Sequence, residues 1–321
     1  MAAPTRTWTC CDPPGQAAQP ARVARVVRAA RVVRVAADQP APPVRAALGG
    51  AAPVGAAAGR VAMIGVTGAA GKTGRAVLAA LAARGVPTRA LVRPGRSAAG
   101  LGATETVHAD LRDAGQVATA LDGVSAVYVV APNVHPSEAS IVENVLAAGV
   151  PRVVYHSVLH PAVEAMPHHW AKARAEELLV ASDVDWTVLQ PCAYAQNFRP
   201  ADVLRVPYSV DTRFAFVDLL DVAFVAARVL TEDGHSYATY ELAGPELLSV
   251  ADVAALWGVR AEREDLNEWY LDTPLRGYAR DALGAMFTYY DEHGLPGNPR
   301  VLASLLGRPP ATVADVFARE S

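Results

Sequence analysis

Lysine is nearly missing from this sequence. Of 29 basic lysine and arginine side chains, only Lys72 and Lys172 are lysines. Such a bias fits a GC-rich genome that writes arginine wherever it will serve. A lysine that survives then marks a place where a compact ammonium is needed rather than a planar guanidinium. Cysteine is also scarce. Cys10, Cys11 and Cys192 exclude a disulfide framework and have no zinc-site spacing, so no metal site is expected and a reducing cytoplasm is the simplest setting. No apolar run is long enough to cross a bilayer, which excludes a helical membrane protein. Positive charge is lacking over most of the chain. The net charge is −3, yet residues 1–60 carry eight arginines against Asp12 and Asp38, so the remainder stands at −9. A chain this acidic beyond residue 60 is a poor candidate for nonspecific nucleic-acid binding.

Residues 1–60 are rich in Ala, Arg and Pro. Arg22, Arg25, Arg28, Arg31 and Arg34 recur every third position, which sweeps around a helix instead of making one face. The segment has little to build a core from and is expected to be disordered. An extension ahead of a start at Met63 is preferred here over an Arg-rich transit peptide or a basic interaction tail.

From Arg60 the text changes. Short apolar runs alternate with helix-like segments. Strands are expected over 61–66, 88–92, 105–108, 126–130, 152–157, 187–190 and 238–242. Helices are expected over 72–84, 114–121, 138–148, 168–182 and 218–230. This alternation predicts an α/β fold: a doubly wound parallel sheet of Rossmann type over 61–245, with helices on both faces. Residues 246–321 read as a small, mostly helical substrate lobe, with 187–217 contributing to the substrate pocket.

The first strand–helix junction reads I-G-V-T-G-A-A-G-K-T-G-R. Gly68, Gly71 and Gly74 fall three apart. Glycine at such positions allows a tight turn, a close backbone approach to a pyrophosphate, and close packing of helix on sheet. The helix N-terminus offers free N–H groups and a positive dipole end to the phosphates. Thr67, Ala69, Lys72 and Thr73 complete the expected cofactor loop. The G-K-T run lacks the spacing of a P-loop, because Val66 stands where its first glycine belongs. An NAD site usually places an acid near the end of the second strand to hold the ribose 2′-hydroxyl. Arg93 stands there instead. With Lys72 it could face a 2′-phosphate, so NADPH is preferred over NAD(H). Asp110, at the end of the third strand, is expected either to reach the adenine or to cap a helix. Ala131 and Pro132, after the fourth strand, and Pro191, after the sixth, are further expected cofactor contacts.

The fifth strand ends Y-H-S-V-L-H-P, and the next helix opens P-H-H-W-A-K-A-R-A-E-E. Ser157 therefore lies at a carboxyl strand end. His168 and Lys172 are four apart and share a helix face, and His169 is within a turn. A lysine there can hold the nicotinamide ribose, and an imidazole can move a proton near neutral pH. Lys172, His168 and Ser157 are the candidate catalytic residues. His169, Tyr194 and Asn197 are the candidate substrate contacts, the last two within Q-P-C-A-Y-A-Q-N-F. Cys192 is read as a packing residue, since no basic partner lies near it in sequence.

Together these motifs, with the later D-V-A-F-V-A-A and Y-E-L-A-G-P, resemble the NmrA-like proteins of the atypical short-chain dehydrogenase/reductase group, over about Val61 to Pro245. The resemblance implies an NAD(P)-binding Rossmann domain with a small C-terminal lobe. That family includes quinone reductases, ether and isoflavone reductases, and redox-sensing regulators that bind the dinucleotide without consuming it. Carried over by position, Gly68, Gly71 and Gly74 match the pyrophosphate loop, Arg93 the 2′-phosphate contact and Lys172 the reductase lysine. One departure stands out. His168 occupies the place of the tyrosine in the Tyr-x-x-x-Lys pair of ordinary short-chain dehydrogenases. The expected function is NADPH-dependent reduction of a small carbonyl, enone or quinone-like substrate, with the proton from His168, Ser157 or water. A non-catalytic NAD(P) sensor with a regulatory protein partner is the rival, and a homodimer is left open. An epimerase-like isomerase is disfavoured by Arg93 and by the missing tyrosine.

Overall fold

The computed structural model describes residues 63–198 and 202–320. The expectation of disorder for 1–60 falls outside them, as do the first two residues of the 61–66 strand. The chain begins β1 (Ile64–Val66), α1 (Lys72–Ala83), β2 (Thr88–Val92), β3 (Glu105–His108), α2 (Ala114–Leu121), β4 (Ala126–Val129), α3 (Glu138–Ala147), β5 (Arg152–His156), α4 (Pro167–Val180) and β6 (Asp185–Pro191). It continues with β7 (Ala193–Tyr194), a 3₁₀ turn (Ala195–Asn197), β8 (Val203–Val206), β9 (Phe214–Val217), α5 (Leu219–Thr231), β10 (Ala238–Leu242) and β11 (Leu247–Leu248). The remainder is α6 (Val250–Leu256), β12 (Arg260–Arg263), α7 (Leu266–Asp272), α8 (Tyr278–His293), α9 (Arg300–Leu306) and α10 (Val313–Glu320).

Seven strands form one sheet in the order β10-β6-β5-β4-β1-β2-β3, all parallel. This is the expected doubly wound Rossmann sheet. Its order reverses between β1 and β4, and the crevice beyond the carboxyl ends at such a reversal is where ligands bind in open α/β sheets. The central strands are apolar on both sides, as a sheet covered on both faces requires; all four residues of β4 are buried. Helices α2, α3 and α4 cover one face over Leu91, Val117, Ile141 and Tyr155. Helices α1 and α5 pack together on the other, and that core continues into residues of α6, α8, α9 and α10.

The strands that periodicity missed are short or polar. Strand β12 reads R-A-E-R and pairs in parallel with β8, an ion pair from Arg205 to Glu262 joining them at 2.9 Å. A charged strand of this kind carries no apolar alternation, so the stretch after 249 read as helical. Strands β7, β9 and β11 make a three-stranded sheet. Strand β6 begins at Asp185, ahead of its apolar run, because Asp185 pairs in register with Arg152 of β5.

Candidate active site

The site begins at the glycine turn between β1 and α1. Gly68 has φ +56°, a conformation open chiefly to glycine, and a Cβ there would lie 3.0 Å from the Val130 carbonyl oxygen. A Cβ on Gly74 would collide with the Gly68 carbonyl oxygen and stand 2.7 Å from the Ala69 Cα. One on Gly71 would meet only the Gly68 oxygen, at 3.2 Å. Helix α1 has no side-chain cap and no acid in its first turn, a state it shares with α4 and α9, but it alone of these follows the glycine turn. A first turn left uncapped keeps its N–H groups and dipole for an anion. The loop therefore fits a dinucleotide pyrophosphate.

Thr67 and Ala69 shape this loop from behind. Both are fully buried. The Thr67 hydroxyl donates to the Val130 carbonyl at 3.0 Å and accepts from the Val130 N–H at 2.7 Å. That hydroxyl ties the carboxyl ends of β1 and β4 together at the point of strand reversal. The Ala69 N–H donates to Leu91. Ala131 and Pro132 follow Val130 and are half-buried at the mouth.

Across the crevice, the segment after β6 faces the glycine loop. Lys72 donates to Asn197 Oδ1 at 2.6 Å, and its ammonium stands 5.1 Å from the centre of the Tyr194 ring. Thr73 is a second hydrogen-bonding neighbour of the Tyr194 phenol, which burial pushes well above its usual range. Gln196 fastens this segment at its other side. Its amide donates to Asp218 at 2.6 Å and to Glu320 at 3.1 Å, and Arg319 joins Asp218 at 2.8 Å. Pro191 is buried at the end of β6.

Lys172 is buried, 7% exposed. Its ammonium donates to Glu138 Oε1 at 2.9 Å and to the His156 carbonyl at 3.1 Å. The Tyr155 hydroxyl donates to the same Glu138 oxygen at 2.6 Å. The His156 ring continues the chain. Its Nδ1 is 2.6 Å from the Tyr128 hydroxyl, and its Nε2 is 3.3 Å from the Tyr194 hydroxyl. Lys172 and Lys72, a hundred positions apart, are thus joined through His156 and Tyr194.

The other candidates lie around this chain. The Ser157 hydroxyl donates to Glu176, which also accepts from Gln190 at 2.9 Å; burial raises the Glu176 carboxyl above the usual carboxylate range. Ser157 therefore ties β5 to α4. Burial, helped by the Lys172 charge, drives the His168 imidazole from 6.5 down to about 3. Near neutral pH it is therefore uncharged, and any proton it moves would pass through the neutral ring. His169 is driven down to about 4 by burial and faces away, its Nδ1 3.3 Å from the His160 carbonyl and its Nε2 3.4 Å from the Tyr290 hydroxyl on α8. Burial pushes the Cys192 thiol up to about 12, in keeping with a packing role.

Arg93 is exposed just beyond β2. Asp110 does not cap α2; Asp113 does. Asp110 instead pairs with Arg112 at 2.5 Å, and that hydrogen-bonded partner lowers its carboxyl to about 2. Sequence reasoning missed Glu138, Tyr155, His156, Tyr128 and Glu176. The signal for three of them was present, since Tyr155 and His156 open the Y-H-S-V-L-H-P motif and Glu176 stands in P-H-H-W-A-K-A-R-A-E-E.

Comparison with known proteins places this geometry. The model of the NmrA-like family matches residues 61–306. The chain is 28% identical over 281 residues to an NAD(P)H azoreductase of Xenophilus azovorans, covering 80% of this chain and 97% of that protein. It is 35% identical over 206 residues to a (4-alkanoyl-5-oxo-2,5-dihydrofuran-3-yl)methyl phosphate reductase of Streptomyces griseus, covering 60% of this chain and 72% of that one. Its fold is similar to that of an NADPH-dependent quinone oxidoreductase of Escherichia coli solved with NADPH. There the TM-score is 0.70 and the identity 26%, over 80% of this chain and 99% of the other. With the matched region running from the first strand through the last helix but one, the chain belongs to the NmrA-like family.

Proposed function

We propose that this protein is an NADPH-dependent oxidoreductase that reduces a small carbonyl, enone or quinone-like substrate. The observation that carries the proposal is the continuous chain of contacts from Lys72 in the glycine loop through Tyr194 and His156 to Lys172. It links the phosphate-binding loop to the one buried lysine of the candidate reaction centre. The similarity to an azoreductase and to a quinone oxidoreductase solved with NADPH supports the same reading.

The loop of Gly68, Gly71 and Gly74 and the first turn of α1 hold the pyrophosphate. Lys72 and Arg93 take the 2′-phosphate, Asp110 reaches toward the adenine end, and Ala131, Pro132 and Pro191 line the nicotinamide end. When bound, the reduced nicotinamide supplies a hydride. Lys172 holds the ribose hydroxyls. Tyr194 and Asn197 line the substrate side, which 187–217 build together with the lobe of 246–321, and His169 braces that side through Tyr290. The proton comes from water, because the Ser157 hydroxyl is committed to Glu176 and His168 is uncharged near neutral pH.

That last observation also favours a second reading, an NAD(P) sensor that does not turn the cofactor over. Apart from the two lysine ammonium groups assigned to the cofactor, no side chain among the described residues of the cluster stands ready as a charged acid. A screen of NADPH oxidation against quinones, enones and azo dyes separates the two. Turnover with at least one acceptor supports the reductase. Tight NADPH binding with no turnover on any acceptor refutes it and leaves the sensor.

A further inference from the structure

Glu138 is the first residue of α3 and has no exposed surface. Its Oε1 accepts from both Lys172 and Tyr155, while its Oε2 is buried without a hydrogen-bond partner. The Lys172 ammonium also lies 5.3 Å from the centre of the Tyr155 ring. A carboxylate so placed gains from the positive end of the α3 dipole.

Stability does not account for this pair. Taking both charges out of water costs nearly as much as their attraction returns, and apolar residues of similar size usually do as well or better. What the pair supplies is a fixed charge at a fixed place. A buried lysine readily loses its proton unless a partner holds it. The other groups around Lys172 offer less. The His156 carbonyl accepts one hydrogen bond. The His156 and His168 rings are kept neutral near pH 7 by burial. Glu176, one turn along α4, is engaged by Ser157 and Gln190. The Tyr155 phenol is pushed well above its usual range by burial and by the Glu138 charge, so it remains a donor and helps to orient the carboxylate.

We infer that Glu138, oriented by Tyr155, is a positioning residue that keeps the Lys172 ammonium charged and aimed for its work at the crevice. The inference rests on the proposed role of Lys172 but can be tested without turnover, because the sequence has only two lysines. Protein labelled with ¹³C at lysine Cε therefore shows one resonance for Lys172 and one for Lys72 as an internal control. In Glu138→Gln, which keeps the shape and removes the charge, the Lys172 titration midpoint drops by about one pH unit or more relative to wild type while Lys72 stays put. Where turnover is measurable, kcat falls by about tenfold or more and the alkaline limb of its profile moves down with the resonance. The double variant Glu138→Gln/Lys172→Ala is then no slower than Lys172→Ala alone. Glu138→Asp, which keeps the charge but withdraws it, shifts the midpoint less and serves if the Gln variant does not fold. A Lys172 midpoint that stays at its wild-type value in the folded variants overturns the inference. Lys172→Ala with unchanged turnover overturns instead the role proposed for Lys172, so the two failures are distinguishable.

Discussion

Gly74→Ala should uncouple the fold from the cofactor. In a helix interior, replacing glycine by alanine ordinarily stabilises by about 1 kcal/mol. Here the new methyl would strike the Gly68 carbonyl oxygen and stand 2.7 Å from the Ala69 Cα. Both obstacles are backbone, so neither can swing aside. Ordinary contact begins near 3.4 Å, so the turn must retreat by at least about 0.7 Å at Ala69 and by more at the Gly68 oxygen. The loop atoms that move are those that would cradle the pyrophosphate. Lengthening a charge-assisted hydrogen bond by that amount forfeits most of it, at about 1.5–3 kcal/mol each. Losing one or two weakens NADPH binding by about a hundredfold. Titration of NADPH fluorescence measures the affinity, and thermal melts show whether the chain still folds. Gly71→Ala is the matched control. Its methyl meets only one oxygen at 3.2 Å, a few tenths of an ångström from comfort, and should cost less than about tenfold. If Gly74→Ala binds NADPH within threefold of wild type, or Gly71→Ala proves the worse, the account of this turn is wrong.

Arg93→Ala should weaken NADPH by about tenfold or more and leave NADH unchanged; equal losses for both would remove Arg93 from the 2′-phosphate site. Lys72→Ala and Asn197→Ala break the 2.6 Å bridge across the crevice and should each speed NADPH release in stopped-flow measurements. Release rates that change only for Lys72 would show that the bridge itself is immaterial. Acid should destabilise the fold through its buried imidazoles. His156 and His168 are driven from 6.5 to about 3, so below pH 6.5 the unfolded chain binds protons that the folded chain refuses. Stability is then full above 6.5 and declines as pH falls, by about 2 kcal/mol per imidazole at pH 5. His169, driven down to about 4, adds to the same slope. Urea denaturation at pH 7, 6 and 5 reads it, and His168→Asn should remove about a third; a flat profile would contradict the buried, neutral assignment.

The fold was legible because the chain alternates so regularly. Strands β2, β3 and β10 lie where sequence put them; β2 is buried on both faces and cannot hide its composition, whereas β3 and β10 are half-exposed edge strands found by their place in the alternation. The glycine turn was legible too, although Gly71 is the least constrained of the three positions. Lys172 stood out by the rarity of lysine alone. Its partners did not, because Glu138 lies 34 positions earlier and in sequence is one more acid at the start of a helix. The surroundings of His168 were hidden for the complementary reason. Its spacing to Lys172 put both on one helix face, but only the packed structure reveals that this face is dry enough to keep an imidazole neutral. Sequence paired Arg93 with Lys72 as a 2′-phosphate contact; it lies exposed just beyond β2, and its role depends on a ligand's reach.

The fastening of Gln196 has a consequence in time. A ribosome delivers the glycine turn early, and domains fold from the N-terminal side as they emerge. The segment opposite that turn can meet Lys72 and His156 as soon as it is made, but its far side is fastened through Gln196 only once Asp218, and then Glu320, arrive. A half-made chain thus carries the wall facing the phosphate loop fastened on one side only. Cofactor present during synthesis would gain little hold until the last helix docks, so NADPH should protect the finished protein far better than the nascent one.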